Sequence, residues 1–468
     1  RIPVLFVRFS RLAQMHMCVN QAGQAHFAHQ AARRPHAGEK KESRVALFRS
    51  AWKAEYITTE IVRENGLASS RPLRYNVNIP DGREKSMRAV SIVGIGQTPV
   101  RKQHGDNLRA LGARVVRAAM KDARIRKVDA LFCGNMLGDE LQGQKHLGAL
   151  IADEAGMPGI EALDVRAATA TGAAALRMAY MVVASSEADR AVAVGVEKMS
   201  TGMVTPALAK ALDAEHEVPV GATMISKNAD LMRTYLQRHD APQDALVGFS
   251  VNAHRNAKHN PNALFRDRSV TPREVRKSRQ IHAPIRLLDC SPICDGAAAV
   301  VLVPAEEARA YSSHPVQIMA SSVATDQFRL EDRPDPLMLE AARNSARIAF
   351  RRANVNLEDV SFFEVHDAFS ITACLLLEAL GFAPAGQGWR LAAEKEIRLR
   401  GKIPIATMGG LKARGHPIGA TALYQACEIV LQLTGRAGKN QVRNARVGLL
   451  QSVGGVATTM LTHVFTAM

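Results

Sequence analysis

The sequence is poor in aromatic residues and has no long uninterrupted apolar run. Phenylalanine, tryptophan and tyrosine make up 5% of the 468 residues, although 47% of the chain is hydrophobic. A transmembrane helix needs about 20 consecutive apolar residues, and we find no such stretch. The sequence therefore favours a soluble protein without a membrane span, long enough to bury a large core or two related halves.

Cysteine is also sparse. Of the six cysteines, only Cys290 and Cys294 lie close together. One CxxxC pair without a second pair is a weak zinc signal, so no metal site is predicted. Such usage is typical of reduced thiols in a cytoplasmic protein, and we expect all six cysteines to be buried and inert.

Nucleotide-binding fingerprints are missing as well. The Gly-rich turn GIGQTP at residues 94–99 lacks the third glycine of a dinucleotide site, and no Walker loop occurs. The net charge of +17 is spread along the chain, and few aromatics accompany it, so nucleic-acid binding is not predicted. A diffuse positive surface suits an anionic substrate, such as a thioester that carries a nucleotide.

The hydrophobic pattern of the sequence changes at Met87. Residues 1–86 show short apolar bursts without a sustained period, so we interpret them as a weakly ordered N-terminal extension and Met87 as the natural start. From Met87 onward, strand-like and helix-like segments alternate, which predicts a layered α/β fold. We place one half at residues 87–310, including a polar loop excursion at residues 200–279, and the second half at residues 311–468.

An internal repeat supports two related halves. The segment TGAAALRMA, which begins at Thr171, matches IGATALYQA, which begins at Ile418, at several glycine, alanine and leucine positions. The same spacing of 247 residues relates Thr169 to His416, each just before the first turn of a predicted helix. Unpaired N–H groups at helix starts favour anions, so the two positions are expected to face one cleft as nucleophile and base.

Several longer motifs carry a family resemblance. The segments GGLKARGHPIGAT (409–421) and EVHDAFS (364–370) closely resemble signatures of the thiolase family, in its archaeal and sterol-carrier-protein-like branch. Further matches over residues 87–468 are GNML at Asn135, VGVEKM, LDCSPICDGAAAV and the VGG at residues 453–455. The resemblance implies a five-layered αβαβα fold, a homodimer or tetramer, and an acyl-CoA substrate without another cofactor. It also implies a possible small OB-fold and zinc-ribbon partner protein.

The resemblance also implies roles for individual residues. His416 matches the histidine that activates the nucleophile, and His366 matches the histidine that helps to form an oxyanion hole. Thr169 stands at the position of the nucleophile. Four further residues are predicted on the substrate and oxyanion side of the site: Asn135, Ser452, Gly454 and Gly455.

The departures from the family pattern leave three functions open. Relatives read AACASG where this chain reads AATATG, so Thr169 replaces the nucleophilic cysteine, and Ala368 occupies a position that can hold a second cysteine. A threonine hydroxyl is far less acidic than a thiol. The chain is therefore interpreted as an acyltransferase with an altered nucleophile, with a retro-aldolase-type lyase or a catalytically silent acyl-CoA-binding subunit as the alternatives.

Overall fold

The computed structural model describes residues 87–468, which alternate strands and helices as the sequence pattern predicts. The predicted extension, residues 1–86, lies outside the described residues. The strands in the described part are β1 (Val90–Gln97), β2 (Ala130–Gly134), β3 (Glu161–Val165), β4 (Ala191–Lys198), β5 (Gln280–His282), β6 (Ile285–Arg286), β7 (Asp295–Pro304), β8 (Val316–Thr325), β9 (Phe362–Glu364), β10 (Val447–Gly454) and β11 (Thr459–Ala467).

The helices differ widely in length, and none in the described part is both long and apolar enough to cross a membrane. They are α1 (Leu108–Asp122), α2 (Gly138–Leu141), α3 (Leu147–Glu154), α4 (Thr171–Ala184), α5 (Val204–Ala209), α6 (Met224–Arg238), α7 (Val247–Ala257), α8 (Pro272–Lys277), α9 (Ala308–Tyr311), α10 (Glu340–Ala353), α11 (Ser370–Ala379), α12 (Gly388–Ala393) and α13 (Thr421–Leu433).

Nine strands form one mixed sheet in the order β3-β2-β4-β7-β1-β8-β11-β10-β9. The first five strands of this order belong to the N-terminal half and the last four to the C-terminal half. The two halves join where β1 pairs antiparallel with β8 over residues 90–92. Strands β5 and β6 form a separate two-stranded hairpin.

Helices lie on both sides of each half of this sheet. Helix α1 packs on β1, β7 and β4, and α4 packs on β2, β4 and β7. Helix α13 contacts strands of both halves, and α10 packs on β8 and β11. Helices α4 and α13 lie between the two halves of the sheet, and α1 and α10 lie on the outer faces, which gives the predicted αβαβα order of layers.

The repeated segments meet in the central layer. Helices α4 and α13 contact each other, and every residue of α13 except Leu431 is buried. A Cβ atom added at Gly172 would lie 2.7 Å from the carbonyl oxygen of Gly419, and one added at Gly195 would lie 2.3 Å from that same oxygen. Small residues at the two helix starts are therefore required for the close approach of the two halves.

The segment at residues 200–279 is not a loop, because it contains α5, α6, α7 and α8. Helix α6 begins with a capping box in which the Thr223 hydroxyl accepts a hydrogen bond from the backbone N–H of Ser226, and the Ser226 hydroxyl accepts one from that of Thr223. Helix α6 packs on α11, and α7 packs on the turn at Gly410–Arg414. The segment thus covers the C-terminal half and supplies one wall of the cavity described next.

Candidate active site

A cavity of about 140 Å³ lies where the start of α4, the turn before α13 and the first turns of α6 meet. Four of the predicted site residues line it: Thr169, His366, His416 and Gly455. Most of the remaining wall is apolar, with side chains such as Met199, Leu208, Leu231, Leu375 and Val456. An apolar cavity with a few convergent polar groups is the usual form of a small-molecule site.

Thr169 lies in a tight turn that leads into α4. The preceding residue, Ala168, has a φ of 48°, in the left-handed region that non-glycine residues seldom occupy. The Thr171 hydroxyl holds the turn, because it accepts from the Ala167 N–H at 2.9 Å and donates to the Ala168 carbonyl at 2.6 Å. The Thr169 hydroxyl itself donates to the Val453 carbonyl at 2.5 Å. Its proton is therefore directed to the main chain and not to a base.

His366 is presented to the cavity as a hydrogen-bond donor. The backbone N–H of Val453 lies 3.4 Å from ring Nδ1, which must therefore act as the acceptor. We assign the ring proton to Nε2 on this basis. Burial, with a smaller contribution from the positive charge of Arg414, lowers the pKa of His366 to about 3. The ring is neutral at physiological pH and can donate to a developing oxyanion.

His416 has the opposite tautomer. Its Nδ1 lies 2.7 Å from the Thr421 hydroxyl, and that hydroxyl donates to the Pro417 carbonyl at 3.2 Å. We therefore assign the proton to Nδ1, which leaves the lone pair on Nε2 free to accept. Burial, then His366 and Arg414, hold the pKa of His416 well below its usual range. The two rings meet edge to face with centroids 5.2 Å apart, so a neutral base and a neutral donor share one cavity.

Both imidazoles are expected to stay neutral when the pH falls from 8 to 6. A folded-state pKa below the ordinary value of about 6.5 means that protonation occurs only in more acidic solution. Nitrogen-15 NMR of histidine-labelled protein, with His366→Gln and His416→Gln for assignment, measures this directly. A midpoint near 6.5 for either ring would contradict the buried, neutral pair.

Asn135 was predicted to contact the substrate, but its side chain does not face the cavity. Its amide nitrogen donates to the Val196 carbonyl at 2.8 Å and to the Glu197 carboxylate at 2.9 Å, and its oxygen accepts from the Gly138 N–H at 2.7 Å. Asn135 is not among the residues that line the cavity. Since both amide hydrogens are already used, the side chain supports a turn and offers no donor to a substrate in this arrangement.

The residues of the terminal VGG region divide between two environments. Gly455 lines the cavity with a φ of 65°, a conformation that suits glycine. Gly454 lies behind it, where an added Cβ would come within 2.7 Å of the Ala167 carbonyl oxygen in the turn before Thr169. Ser452 is fully buried in β10, does not line the cavity and makes no hydrogen bond through its hydroxyl to any described residue. The structure brings Gly455 to the two histidines and leaves Ser452 away from them.

Glu197 is a supporting residue that the sequence reasoning missed. Its carboxylate accepts from the backbone N–H groups of Met136 at 3.0 Å, Leu137 at 3.1 Å and Gly419 at 2.9 Å, as well as from Asn135. Burial raises the pKa of Glu197 to about 7, although these donors oppose the shift. The residue joins the loop after β2 to the turn that carries His416. In the sequence, only the position of Glu197 within the VGVEKM motif could have indicated this supporting role.

A buried ion pair lies behind the histidines. Arg414 Nε is 3.0 Å from Glu428 Oε1, and both side chains are essentially inaccessible to solvent, with exposures of 0% and 1%. The guanidinium also donates to the Gly415 carbonyl at 2.9 Å and lies 4.9 Å from the centre of the Tyr424 ring. This fixed positive charge opposes protonation of both histidines.

The prediction that every cysteine is buried is wrong for Cys290, whereas the prediction that the cysteines are inert stays a prediction. Four described cysteines, Cys133, Cys294, Cys374 and Cys427, have no exposed surface. Cys290 is partly exposed and lines the cavity. Cys18 lies outside the described residues. The difference arises because Cys290 follows a short 3₁₀ helix at the cavity wall, whereas the four others lie in or beside the packed strands and helices.

Comparisons with known proteins agree with this architecture. The model of the thiolase N-terminal domain matches residues 90–306, and the model of the thiolase C-terminal domain matches residues 322–467. An acetyl-CoA acetyltransferase of Methanothermobacter thermautotrophicus is 42% identical over 383 residues, which cover 81% of this chain and 100% of that protein. Human sterol carrier protein 2 is 30% identical over 392 residues, covering 79% of this chain and 70% of that protein.

A solved structure shares the fold at lower identity. The Ltp2-ChsH2(DUF35) aldolase superposes with a TM-score of 0.71 at 23% identity, covering 80% of this chain and 97% of that chain. At this identity the likeness concerns the fold alone.

Proposed function

Because this chain belongs to the thiolase family, we propose that it makes or breaks a carbon–carbon bond beside the thioester carbonyl of an acyl-CoA. The reaction is acyl transfer, either thiolysis of a 3-oxoacyl-CoA or the reverse Claisen condensation. The observation that carries the proposal is the pair of neutral histidines, with opposite tautomers, on one apolar cavity. The name of the archaeal relative, acetyl-CoA acetyltransferase, supports the same reaction class.

The two histidines can divide the chemistry between them. His366 Nε2–H donates to the carbonyl oxygen on which negative charge develops, and a donor already in place stabilises that charge without reorganisation. His416 Nε2 accepts a proton from the group that attacks or from the hydroxyl that collapses. Because most of the cavity wall is apolar, the local dielectric is low and both interactions are strengthened.

A second reaction is favoured by one contact. The Thr169 hydroxyl donates to the Val453 carbonyl, so the hydroxyl proton does not face His416 Nε2 in this structure. A threonine nucleophile needs a base, and an internal threonine has no terminal amine to act as one. Retro-aldol cleavage of a 3-hydroxyacyl-CoA needs only a base for the substrate hydroxyl and a donor for the enolate, without an acyl-enzyme. The same cavity can supply both.

Intact-protein mass spectrometry distinguishes the two reactions. The protein is incubated with a panel of 3-oxoacyl-CoA and 3-hydroxyacyl-CoA thioesters, and small-molecule products are measured in parallel. We expect a mass increase of one acyl group with 3-oxoacyl-CoA, lost in Thr169→Val, which keeps the size of the side chain and removes the hydroxyl. Cleavage of a 3-hydroxyacyl-CoA without CoA and without an adduct would assign the lyase reaction instead. Binding without turnover of either substrate would refute both and leave a silent acyl-CoA-binding subunit.

We also propose a homodimer or tetramer in which β3 contributes to the subunit contact. Strand β3 is at the edge of the sheet and pairs only with β2 among the described strands, and its Leu163 is 51% exposed. An uncovered edge with an apolar side chain is a surface that proteins usually protect. We propose in addition that the chain binds a small partner protein with an OB-fold and a zinc ribbon, as the family resemblance implies. Light scattering with and without the added partner measures the mass of both assemblies.

A further inference from the structure

A second cavity, of about 280 Å³, lies between α7 and α12. We propose that it binds a small aromatic acid, a planar ring that carries one carboxylate and one hydroxyl or amino group. No residue lines both this cavity and the active-site cavity. The inference therefore goes beyond the proposed function and does not depend on it.

The cavity is formed where α7 packs against α12. The two helices touch at Gly248, where an added Cβ would lie 2.9 Å from the Ala392 Cβ and 3.0 Å from the Ala392 carbonyl oxygen. Gly248 and the next lining residues of α7, which are Val251, Asn252 and Arg255, are spaced three, four and seven residues apart. Residues at these spacings share one face of a helix. One face of α7 therefore supplies both the contact with α12 and a wall of the cavity.

The cavity has an excess of positive charge. Three cationic side chains line it, Arg255 on α7 and both Lys395 and Arg398 on the turn after α12. None of the three pairs with a carboxylate of the described part of the chain, and Asp244, the acidic residue on the cavity wall, is already paired with Arg276 at 2.8 Å. Unneutralised cations around one cavity favour an anionic ligand.

The two arginines are close enough to affect each other. Burial, then the positive charge of Arg255, lowers the pKa of Arg398. A guanidinium group is planar and donates two parallel N–H bonds to a carboxylate. A carboxylate bound beside Arg255 and Arg398 would therefore gain charge-assisted hydrogen bonds and relieve the repulsion between the two cations.

The rest of the wall favours an aromatic ring. Trp389 of α12 is half-buried and lines the cavity, and Val251, Ala392 and Ile397 add apolar surface. A planar ring can stack on an indole or contact its edge, and it buries apolar area in doing so. An inorganic anion uses the charge of the cavity but gains nothing from this apolar surface.

Asn252 explains the hydroxyl or amino group of the ligand. The residue is 4% exposed and lines the cavity. Its Nδ2 donates to the Ile405 carbonyl at 3.2 Å, whereas its Oδ1 is buried and accepts no hydrogen bond from a described residue. A buried acceptor normally has a partner, and a donor on the ligand would supply it. Asn252 lies three residues before Arg255 on α7, so the side chains are neighbours and one small ring can reach both.

Tryptophan fluorescence tests the site without any measurement of activity. The chain has two tryptophans, Trp52 and Trp389, so Trp52→Phe in the full chain leaves Trp389 as the single reporter. Titration with 4-hydroxybenzoate should change its emission and reach saturation. Arg255→Gln should weaken this binding at least about tenfold, because a hydrogen bond to a charged group is lost. Lys258→Gln is the matched control, because Lys258 is an exposed cation that does not line the cavity, and it should bind with native affinity.

Two related ligands separate the contributions of charge and of the donor. The neutral 4-hydroxybenzamide keeps the ring and the hydroxyl, and it should show no saturable binding at the concentrations that saturate with 4-hydroxybenzoate. The acid 4-methylbenzoate keeps the charge without the donor, and it should bind about two- to tenfold more weakly, as expected for one neutral hydrogen bond. In Asn252→Ala the two acids should bind equally.

Four results would overturn the proposed site. They are the absence of a saturable change with 4-hydroxybenzoate, equal binding of 4-hydroxybenzamide, native affinity in Arg255→Gln/Arg398→Gln, and displacement by an equal concentration of inorganic phosphate, which would show a site for charge alone. Displacement by CoA would also overturn it, because the cavity would then belong to the path of the acyl-CoA. The proposed carbon–carbon bond chemistry is tested separately by mass spectrometry, so the two can fail independently.

Discussion

Thr169→Cys is expected to raise thiolysis of a 3-oxoacyl-CoA at least about 100-fold over the native protein, a gain that a single well-placed catalytic group commonly supplies. A thiol has an ordinary pKa near 8.5, far below that of a threonine hydroxyl, and the start of α4 favours an anion at this position. His416 lines the same cavity and is neutral, so its Nε2 can accept the thiol proton.

Two further variants separate acidity from side-chain shape. Thr169→Ser keeps a hydroxyl in a smaller side chain and should show no comparable gain. His416→Ala in the Thr169→Cys protein should remove most of the gain, because the new thiol then lacks its base. If Thr169→Cys binds acyl-CoA normally and still shows no gain in thiolysis, the site has lost thiolase geometry and the lyase or silent-subunit function takes precedence.

The sequence predicted the parts of the site that lie in repeated or continuous motifs. Thr169 and His416 were related by the repeat, and the structure places both on one cavity because α4 and α13 pack together in the central layer. His366 belongs to a continuous motif and lies with them. The layered fold followed from the alternation of strands and helices, which short-range hydrophobic patterns report directly.

The direction of each side chain was not predictable in the same way. Ser452 and Val453 are neighbours in β10, and side chains alternate between the two faces of a strand, so Val453 borders the cavity and Ser452 does not. Asn135 lies in a matching motif, yet its amide hydrogen-bonds to the Glu197 carboxylate and to the backbone of Val196 and Gly138. A motif gives a position along the chain, whereas the face and the partners depend on register and packing.

Cys290 and Arg414 show a second reason why part of the site could not be predicted from the sequence. The bridge from Cys290 to Phe369 joins residues that are far apart in sequence, so the thiol's place at the cavity required the tertiary structure. Arg414 stands inside a recognised motif, but nothing in the sequence shows that its guanidinium is buried and paired with Glu428. Arginine is usually exposed, and a buried one is found only from coordinates.

The largest effect on stability is expected from Arg414→Met. Removing one partner of a buried ion pair leaves the other charge without compensation, and such changes typically cost about 3–5 kcal/mol of the free energy of unfolding. Arg414→Met/Glu428→Leu removes both charges and should recover most of the loss. Urea unfolding followed by circular dichroism measures the midpoint of each variant. Arg436→Met is the matched control, because Arg436 is 47% exposed and lies 3.6 Å from Asp122, so its loss should cost less than about 1 kcal/mol.

The pH dependence of the Arg414→Met variant gives a sharper test than its midpoint alone. Burial already raises the pKa of Glu428 in the folded protein, and Arg414 opposes that rise, so its removal raises the pKa further. A carboxyl group whose folded-state pKa exceeds its unfolded value of about 4.3 binds more protons when folded, and its contribution to stability is lost as pH rises. The destabilisation of Arg414→Met should therefore be smaller at pH 5 than at pH 8. An equal loss at both pH values would show that Glu428 stays ionised, and that the Arg414 side chain stabilises the fold by packing on Tyr424 and not by its charge.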